Sequence, residues 1–309
     1  MIRNSVRFTG AISLLFAPYL AFSQTPIKEV LADIDPATGK AKDAAKEYSV
    51  SGIVAARHVL SGQQVLAFVH NPGEPCLTVL ADTKDAPLLA PRNVVKVTGK
   101  LGDSPWRAAL VTAPGSVTLA ETNKPFASLS VGPSAFKDAS AIAGRYVQLT
   151  NVTFTSPKFD ATGLATVANA GGEKVTLRTG KTLAGRETPK GGTDVFGVVA
   201  RSADEWQLIP ARFLPVNRRE CQDLATKRTC LACHNPDTQV VGPAYRDVAA
   251  KYRNDPNAIS TFISQMETGG TGKWGTNVMV PLKALVPPEE MQTLANWVYS
   301  YRWDALLAE

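Results

Sequence analysis

The feature that most constrains this chain is a short cluster of cysteine and histidine, Cys230-Leu-Ala-Cys233-His234. The Cys-x-x-Cys-His spacing is the signature of covalent haem attachment. The two thiols can add to the two vinyl groups on one edge of a porphyrin, and the adjacent imidazole can offer its Nε2 to the iron. A redox-active thiol pair on a thioredoxin-like fold is the competing interpretation, but no βαβ pattern surrounds the motif. The sequence therefore predicts a single covalent haem c, with His234 as an iron ligand.

The N-terminus predicts export. Arg3 and Arg7 precede an apolar stretch at 8–22, and small residues just before Gln24 suit signal-peptide cleavage. The stretch is shorter than the roughly 20 residues that a membrane-spanning helix needs, and no second apolar run approaches that length. We therefore expect residues 1–23 to be a signal peptide and the mature protein to be periplasmic or secreted, without a membrane span.

The charges of the chain are nearly balanced. It carries 33 Lys and Arg against 27 Asp and Glu, a formal net charge of +6. From residue 217 onward there are 10 basic and 10 acidic side chains, so the surplus is spread thinly over the preceding residues. Because nucleic-acid-binding domains usually show a clustered basic face, no nucleic-acid partner is expected.

Residues 48–216 alternate apolar and polar side chains in short runs separated by Gly, Pro, Asn and Asp, which is typical of antiparallel strands. The runs form two modules, 48–122 and 128–216, after an N-terminal segment at 24–47. Strands are predicted at 48–55, 64–70, 76–80, 93–101 and 116–119, and at 145–155, 164–168, 174–177, 194–200 and 205–209. Five strands in a module of this size predict a small closed Greek-key barrel.

Four pieces of these modules resemble the OB-fold-like modules of secreted bacterial nucleases and esterases. They are VSGIVAAR from Val50, VVKVTGKL from Val94, GRYVQLTNVTF from Gly144 and DVFGVVARSADEWQLIPARF from Asp194. In that family a glycine within a strand bends it around the barrel, and a late Gln-Leu-x-Pro closes the module. The resemblance implies two OB-like barrels, a fold whose face can bind oligonucleotides or oligosaccharides. The few aromatic side chains here mostly take inward strand positions, which favours core packing.

From Asn217 the pattern changes to helical periodicity. Helices are predicted at 220–229, at 245–251, from Asp255 to the glycine pair that begins at Gly269, and after the proline pair that ends at Pro288. Residues 210–219 are expected to be a linker. We therefore expect residues 217–309 to fold as an all-α domain that does not depend on the β modules.

This region resembles the single-haem class I bacterial cytochromes c. Four features carry the resemblance in order: the Cys-x-x-Cys-His motif, Val241-Gly-Pro-Ala-Tyr245, Gly272-Lys-Trp-Gly-Thr-Asn-Val-Met-Val-Pro281, and residues 290–301 with Trp297. It implies that Pro243 lies behind the proximal histidine, where a backbone carbonyl fixes the imidazole. It also implies that Trp274 lies near a haem propionate and that Met279 is the sixth iron ligand.

Elimination favours the same ligand pair. The two other histidines of the chain lie upstream in the β modules. Met266 and Met291 fall on apolar faces of predicted helices, where core packing explains them, whereas Met279 lies in a glycine-rich loop before Pro281. Ligation by His234 and Met279 is therefore predicted. Valines flank Met279, a departure from the Pro-Met-Pro-Pro sequence that is commoner in the family.

Cys76 and Cys221 leave two interpretations open. In an oxidising compartment two spare thiols suggest a disulfide. The alternative is a pair of buried thiols, which behave as small hydrophobic side chains.

Together these features predict a multidomain protein, with two all-β OB-like barrels followed by an all-α cytochrome c domain. A His/Met iron has no open position for a substrate, so we expect an electron carrier rather than an enzyme. Its partners are expected to be a redox protein donor and acceptor. The β modules are expected to act as a docking arm. It could serve as the cytochrome subunit of an oxidoreductase. Two alternatives stay open: a haem enzyme or gas sensor whose methionine dissociates, and a carbohydrate- or nucleic-acid-binding protein with an attached redox domain.

Overall fold

The computed structural model describes residues 24–60, 63–104, 107–180, 183–202 and 205–308. The predicted signal peptide lies outside the described residues. Two β modules are followed by a helical region, as the change of periodicity predicted.

The first β module is a closed barrel. Strand β1 pairs with both β2 and β4, and β5 lies between β3 and β4, so the strand order β1-β2-β3-β5-β4 returns to β1. A short helix, α1, packs Ile27 and Val30 into the barrel interior. The elements are α1 Ile27–Ala32, β1 Glu47–Val59, β2 Gln64–His70, β3 Leu77–Asp82, β4 Val94–Gly102, β5 Ala109–Val111 and β6 Val117–Glu121.

The second β module repeats this topology. Strand β8 pairs with β9 and β11, and the order β8-β9-β10-β12-β11 returns to β8, with β7 added parallel to β8. The elements are β7 Leu129–Val131, β8 Tyr146–Phe154, β9 Leu164–Ala168, β10 Lys174–Arg178, β11 Thr193–Ser202 and β12 Glu205–Pro215. Strands β5 and β7, at three residues each, are too short for the alternating pattern to reveal.

Glycines allow the close backbone approaches of each barrel. A Cβ atom at Gly99 would lie 2.2 Å from the carbonyl oxygen of Val111, and one at Gly197 would lie 2.3 Å from that of Ile209. Side chains at these two positions would therefore force the paired strands apart.

The two modules share a buried interface. Strand β2 is buried on both faces: Val65 and Val69 point into the first barrel, whereas Leu66 and Phe68 belong to a cluster with Val198 and Ile209 of the second module. A strand covered on both sides needs apolar side chains in succession, which explains the Val-Leu-Ala-Phe-Val sequence of β2.

The helical region contains the four expected helices and three elements that periodicity did not predict. The elements are α2 Arg218–Lys227, α3 Tyr245–Lys251, α4 Ala258–Thr268, β13 Gly270–Gly272, β14 Gly275–Met279, α5 Pro288–Ser300 and α6 Arg302–Ala308. The hairpin of β13 and β14 means that the region is not all-α. Of the helices described, none has the length and apolar character needed to cross a membrane.

The expectation of a linker at 210–219 is wrong. Strand β12 continues to Pro215, which pairs with Thr193 of β11, and α2 begins at Arg218. The strand extends this far because Phe213 packs in the second barrel, where it is 1% exposed.

The C-terminal helix α6 returns to the second β module. Trp303, Leu306 and Leu307 are buried in the same cluster as Phe159 and Phe213. The expectation that residues 217–309 fold without the β modules therefore conflicts with the packing of α6, because that fragment would expose these side chains. The helical region begins with α2 at Arg218, and it contacts the second β module through the Arg218–Asp194 ion pair, the Arg186–Asn254 hydrogen bond and helix α6.

Candidate functional site

The Cys-x-x-Cys-His segment begins directly after α2. Thr229 takes a left-handed conformation with φ of 58°, and Cys230–Ala232 forms one 3-10 turn. Arg228 anchors this segment to α5, since its Nε lies 2.5 Å from one carboxylate oxygen of Glu290 and a terminal nitrogen lies 3.0 Å from the other. Such a bidentate pair fixes both position and orientation. The pair joins residues far apart in sequence, so no motif could have predicted it.

The ring of His234 is held from two sides. Its Nδ1 lies 2.8 Å from the carbonyl oxygen of Pro243, and the Tyr245 ring stacks on it with centroids 5.3 Å apart. A Cβ atom at Gly242 would lie 2.4 Å from the ring, so only glycine fits there. With Nδ1–H donated to a carbonyl, Nε2 is the nitrogen left to bind a metal ion.

The predicted site residues meet around one cavity of about 340 Å³. The two thiols, His234, Pro243, Trp274 and Met279 all line it. The remaining wall is largely apolar, with contributions from Val248, Phe262, Leu294, Ala295 and Val298. Two thiols beside a metal-binding imidazole, facing an apolar wall and a thioether, are the donor set that a covalently held haem requires. The residues present fit that cofactor.

The loop that carries Met279 is a two-stranded hairpin. Met279 pairs with Gly270 across β13 and β14, and a Cβ atom at Gly269 would lie 2.3 Å from the Met279 carbonyl oxygen. The amide of Asn277 donates to the Val241 carbonyl oxygen at 2.6 Å, which ties the hairpin to the segment after the histidine. The glycines that make this tight pairing feasible also suppress the hydrophobic alternation by which a strand is recognised.

The other methionines differ from Met279 in their surroundings. Met266 also lines the cavity, from helix α4, and packs against the helical core. Met291 is 2% exposed in the core and does not line the cavity. Among the methionines that the structure describes, two therefore have access to the cavity, and the hairpin residue is the one predicted from sequence.

Trp274 lies at the edge of the cavity beneath a lysine. The Nζ of Lys251 is 4.5 Å from the centroid of the Trp274 ring and 3.1 Å from the carbonyl oxygen of Lys273. A cation–π contact of this kind holds the ring in place without burying it.

Cys76 and Cys221 are both free, buried thiols. Cys76 lies between the two β modules and Cys221 lies in the helical core. Burial raises the pKa of each thiol. Of the two interpretations, the structure agrees with small hydrophobic side chains rather than a disulfide.

Taken together, the helical region and its cavity define a domain for covalent haem attachment. The family model described as cytochrome c matches residues 219–301. Cytochrome c-551 of Allochromatium vinosum is 43% identical over 75 residues, covering 24% of this chain and 79% of that protein. Cytochrome c-551 of Pseudomonas denitrificans is 38% identical over 81 residues, covering 26% of this chain and 96% of that protein. The solved structure of Nitrosomonas europaea cytochrome c552 is 38% identical, covers 26% of this chain and 98% of its own, and has a TM-score of 0.25.

The chain belongs to the cytochrome c family through this C-terminal region. The cofactor of the domain is covalently bound haem c, and its relatives are small electron-carrying cytochromes. The two β modules and helix α6 lie outside the matched residues.

Proposed function

We propose that this protein is an exported one-electron carrier whose haem c is attached to Cys230 and Cys233 and ligated by His234 and Met279. The observation that carries the proposal is that these four side chains line one apolar cavity, with the imidazole oriented by the Pro243 carbonyl group. The relatives of the domain carry electrons, and the Cys-x-x-Cys-His chemistry belongs outside the cytoplasm, in agreement with the predicted signal peptide.

Each side chain has a separate task. When bound, haem c supplies an iron that takes up and releases one electron. The two thiols would hold the porphyrin edge, and the His234 Nε2 and the Met279 thioether would bind the iron. With both of these side chains bound, the iron would offer no position for a substrate. The apolar wall excludes water, and a thioether ligand favours the reduced iron.

Met279 is the better candidate for the second axial ligand than Met266. Met266 packs against two core clusters from helix α4, which already accounts for its burial. Met279 sits on a hairpin that is tied to the histidine segment through Asn277 and Val241. A ligand on a hairpin that is hydrogen-bonded to the histidine segment is held in position, as a preorganised metal site requires.

The rim of the cavity suits transient docking of a redox protein. Val241, Val278 and Val280 line the cavity and are 47%, 69% and 61% exposed. Leu285, also on the helical region, is 64% exposed. With the region formally neutral, these apolar side chains rather than long-range attraction would dominate brief encounters with a donor and an acceptor.

The two β modules are proposed to be OB-like barrels that act as a docking arm. In OB-folds the face of strands 2 and 3 carries the oligonucleotide or oligosaccharide site. In the first module, Leu66 and Phe68 of β2 and Leu80 of β3 are packed against the second module. This covered face argues against nucleic-acid binding there.

Substitution of the two cavity methionines in turn tests the ligand assignment. Met279→Ala should give a high-spin haem that binds carbon monoxide while covalent attachment persists. Met266→Ala is the matched control, since it also removes a thioether from the cavity wall, and it should keep a low-spin spectrum. If Met266→Ala opens the iron and Met279→Ala does not, the assignment is wrong.

A further inference from the structure

Charged side chains connect the haem attachment loop to the second β module. Asp304 of α6 lies between two arginines: one carboxylate oxygen is 3.4 Å from Nε of Arg212 on β12, and the other is 3.5 Å from a terminal nitrogen of Arg246 on α3. The same Arg246 nitrogen is 2.6 Å from the carboxylate of Asp237. The four side chains form a continuous cluster from β12, through α6 and α3, to the loop after His234.

The centre of this cluster is shielded from water. The side chain of Asp304 is 15% exposed and that of Arg212 is 28% exposed, whereas Asp237 is 41% exposed. Burial raises the pKa of Asp304, and the charges of Arg212 and Arg246 oppose that rise. Removal of one member of this partly buried ionic group leaves the charges of its partners uncompensated, so the members act together.

Helix α3 connects the charged cluster to the proximal histidine, His234. The backbone N–H of Arg246 donates to the Pro236 carbonyl at 3.1 Å, and that of Tyr245 donates to the Asn235 carbonyl at 3.0 Å. The Tyr245 ring stacks on the imidazole of His234. The first turn of α3 therefore holds both the ring of the histidine and the loop that follows it.

We propose that Asp304 is a positioning residue for the proximal histidine, through which helix α6 and the second β module set the reduction potential of the haem. The inference rests on the proposed function, in which His234 is an iron ligand. Asp304 forms an ion pair with Arg246, and Arg246 donates a hydrogen bond to Asp237 in the loop after His234. Asp304 lies beyond the residues matched by the family model. The ion pairs that it forms are therefore not part of the matched cytochrome c region.

The sign of the effect follows from charge. Oxidation adds one positive charge at the iron, and buried positive charge nearby opposes it. Without the carboxylate of Asp304, Arg212 and Arg246 contribute more uncompensated positive charge behind the histidine. The reduction potential should therefore rise when this carboxylate is removed.

The experiment compares variants of the full-length protein with haem attached. Asp304→Asn should raise the midpoint potential in a redox titration and shift the proton NMR signals of the His234 ring in the oxidised protein. Asp304→Glu, which keeps the carboxylate, should restore most of both properties. Asp33→Asn removes one ion-paired carboxylate from the first module, and Leu306→Ala weakens the packing of α6 without touching a charge. Both controls should keep the original potential.

Two results would overturn the inference. One is an unchanged potential and unchanged ring signals in Asp304→Asn, even if the melting temperature falls. The other is an equal shift in Leu306→Ala, which would show a general effect of loosening α6. Should Asp304→Asn fail to mature, Arg246→Gln decides the question, because glutamine removes the positive charge that lies between the carboxylates of Asp237 and Asp304. Unchanged ring signals in that variant would also overturn the inference. A failure of the proposed ligation would instead appear in the absorption spectrum of the unmodified protein.

Discussion

In the helical region, side chains with distinct chemical roles surround one cavity. In the two β modules, the features that stand out are packing contacts distributed over many residues. The thiols, the imidazole and a thioether meet within the helical region. Among the described residues of the β modules, no group of three or more His, Cys, Asp and Glu side chains could hold a metal ion. In the β modules the features that recur are strand order, glycines at close approaches and a shared interface.

This difference shows what each kind of pattern can reveal. A chemical motif such as Cys-x-x-Cys-His indicates a cofactor because very few arrangements place those groups at that spacing. An alternating strand pattern indicates a fold but not a function, since the same barrel can serve many purposes. The function is therefore assigned from the helical region, and the role of the barrels from what they contact.

The largest effect expected is the loss of haem attachment when both motif thiols are removed. Cys230→Ser with Cys233→Ser should abolish covalently bound haem, because no thiol then remains at the cavity. Haem staining after denaturing electrophoresis measures this. Cys76→Ser with Cys221→Ser is the matched control and should keep the stain, since these thiols lie away from the cavity. Covalent haem in the first variant would contradict the assignment of haem attachment to Cys230 and Cys233.

The second prediction uses a residue of the C-terminal helix that is packed in a β module. Trp303 is 4% exposed beside Phe159 and Phe213, so Trp303→Ala should lower the free energy of unfolding by about 3–5 kcal/mol. Denaturant unfolding followed by circular dichroism measures it. Trp274→Ala is the control, because that ring lies at the cavity edge outside the barrel cores. Equal stability of the two variants would mean that α6 does not complete the second module.

The third prediction concerns acid stability of the β modules. His58 is buried, and burial lowers its pKa from 6.5 to about 4. The unfolded chain therefore binds a proton at His58 at a higher pH than the folded protein does. The contribution of neutral His58 to the free energy of unfolding is fully present above pH 6.5. It falls by up to about 3 kcal/mol as the pH drops towards 4.

The control for this prediction is His58→Gln, which has no titrating group at that position. The difference in unfolding free energy between the natural protein and the variant should shrink between pH 7 and pH 4.5, as measured by urea unfolding. The pH effects of all other groups are common to both proteins and cancel in the difference. A constant difference across this pH range would show that His58 is not held neutral.

Much of the fold was predictable because its signals are local. The limits of β2 and β9 and of helix α3 match the predictions residue for residue, since Gly, Pro or Asn residues lie close to the ends of each. The missed elements lack such a signal: β13 and β14 are rich in glycine, and α6 follows α5 after a single residue.

The contacts between regions could not be predicted from the sequence. The cluster of Asp304 with Arg212 and Arg246 joins three elements that are distant along the chain. The linker prediction failed for a related reason. Residues 210–215 lack a long apolar run, but pairing with β11 and burial of Phe213 make them strand. Motif residues could be assigned to a site because the chemistry of haem attachment restricts them, whereas nothing local restricts an interface.

The most direct test of an electron carrier with a closed iron site is carbon monoxide titration of the reduced, unmodified protein, combined with the absorption spectrum of its oxidised form. If His234 and Met279 fill both axial positions, the reduced protein stays low-spin without binding carbon monoxide, and the oxidised protein shows the weak long-wavelength band of methionine-ligated iron. Stoichiometric binding of carbon monoxide together with absence of that band would contradict the account, and would favour the haem enzyme or gas sensor.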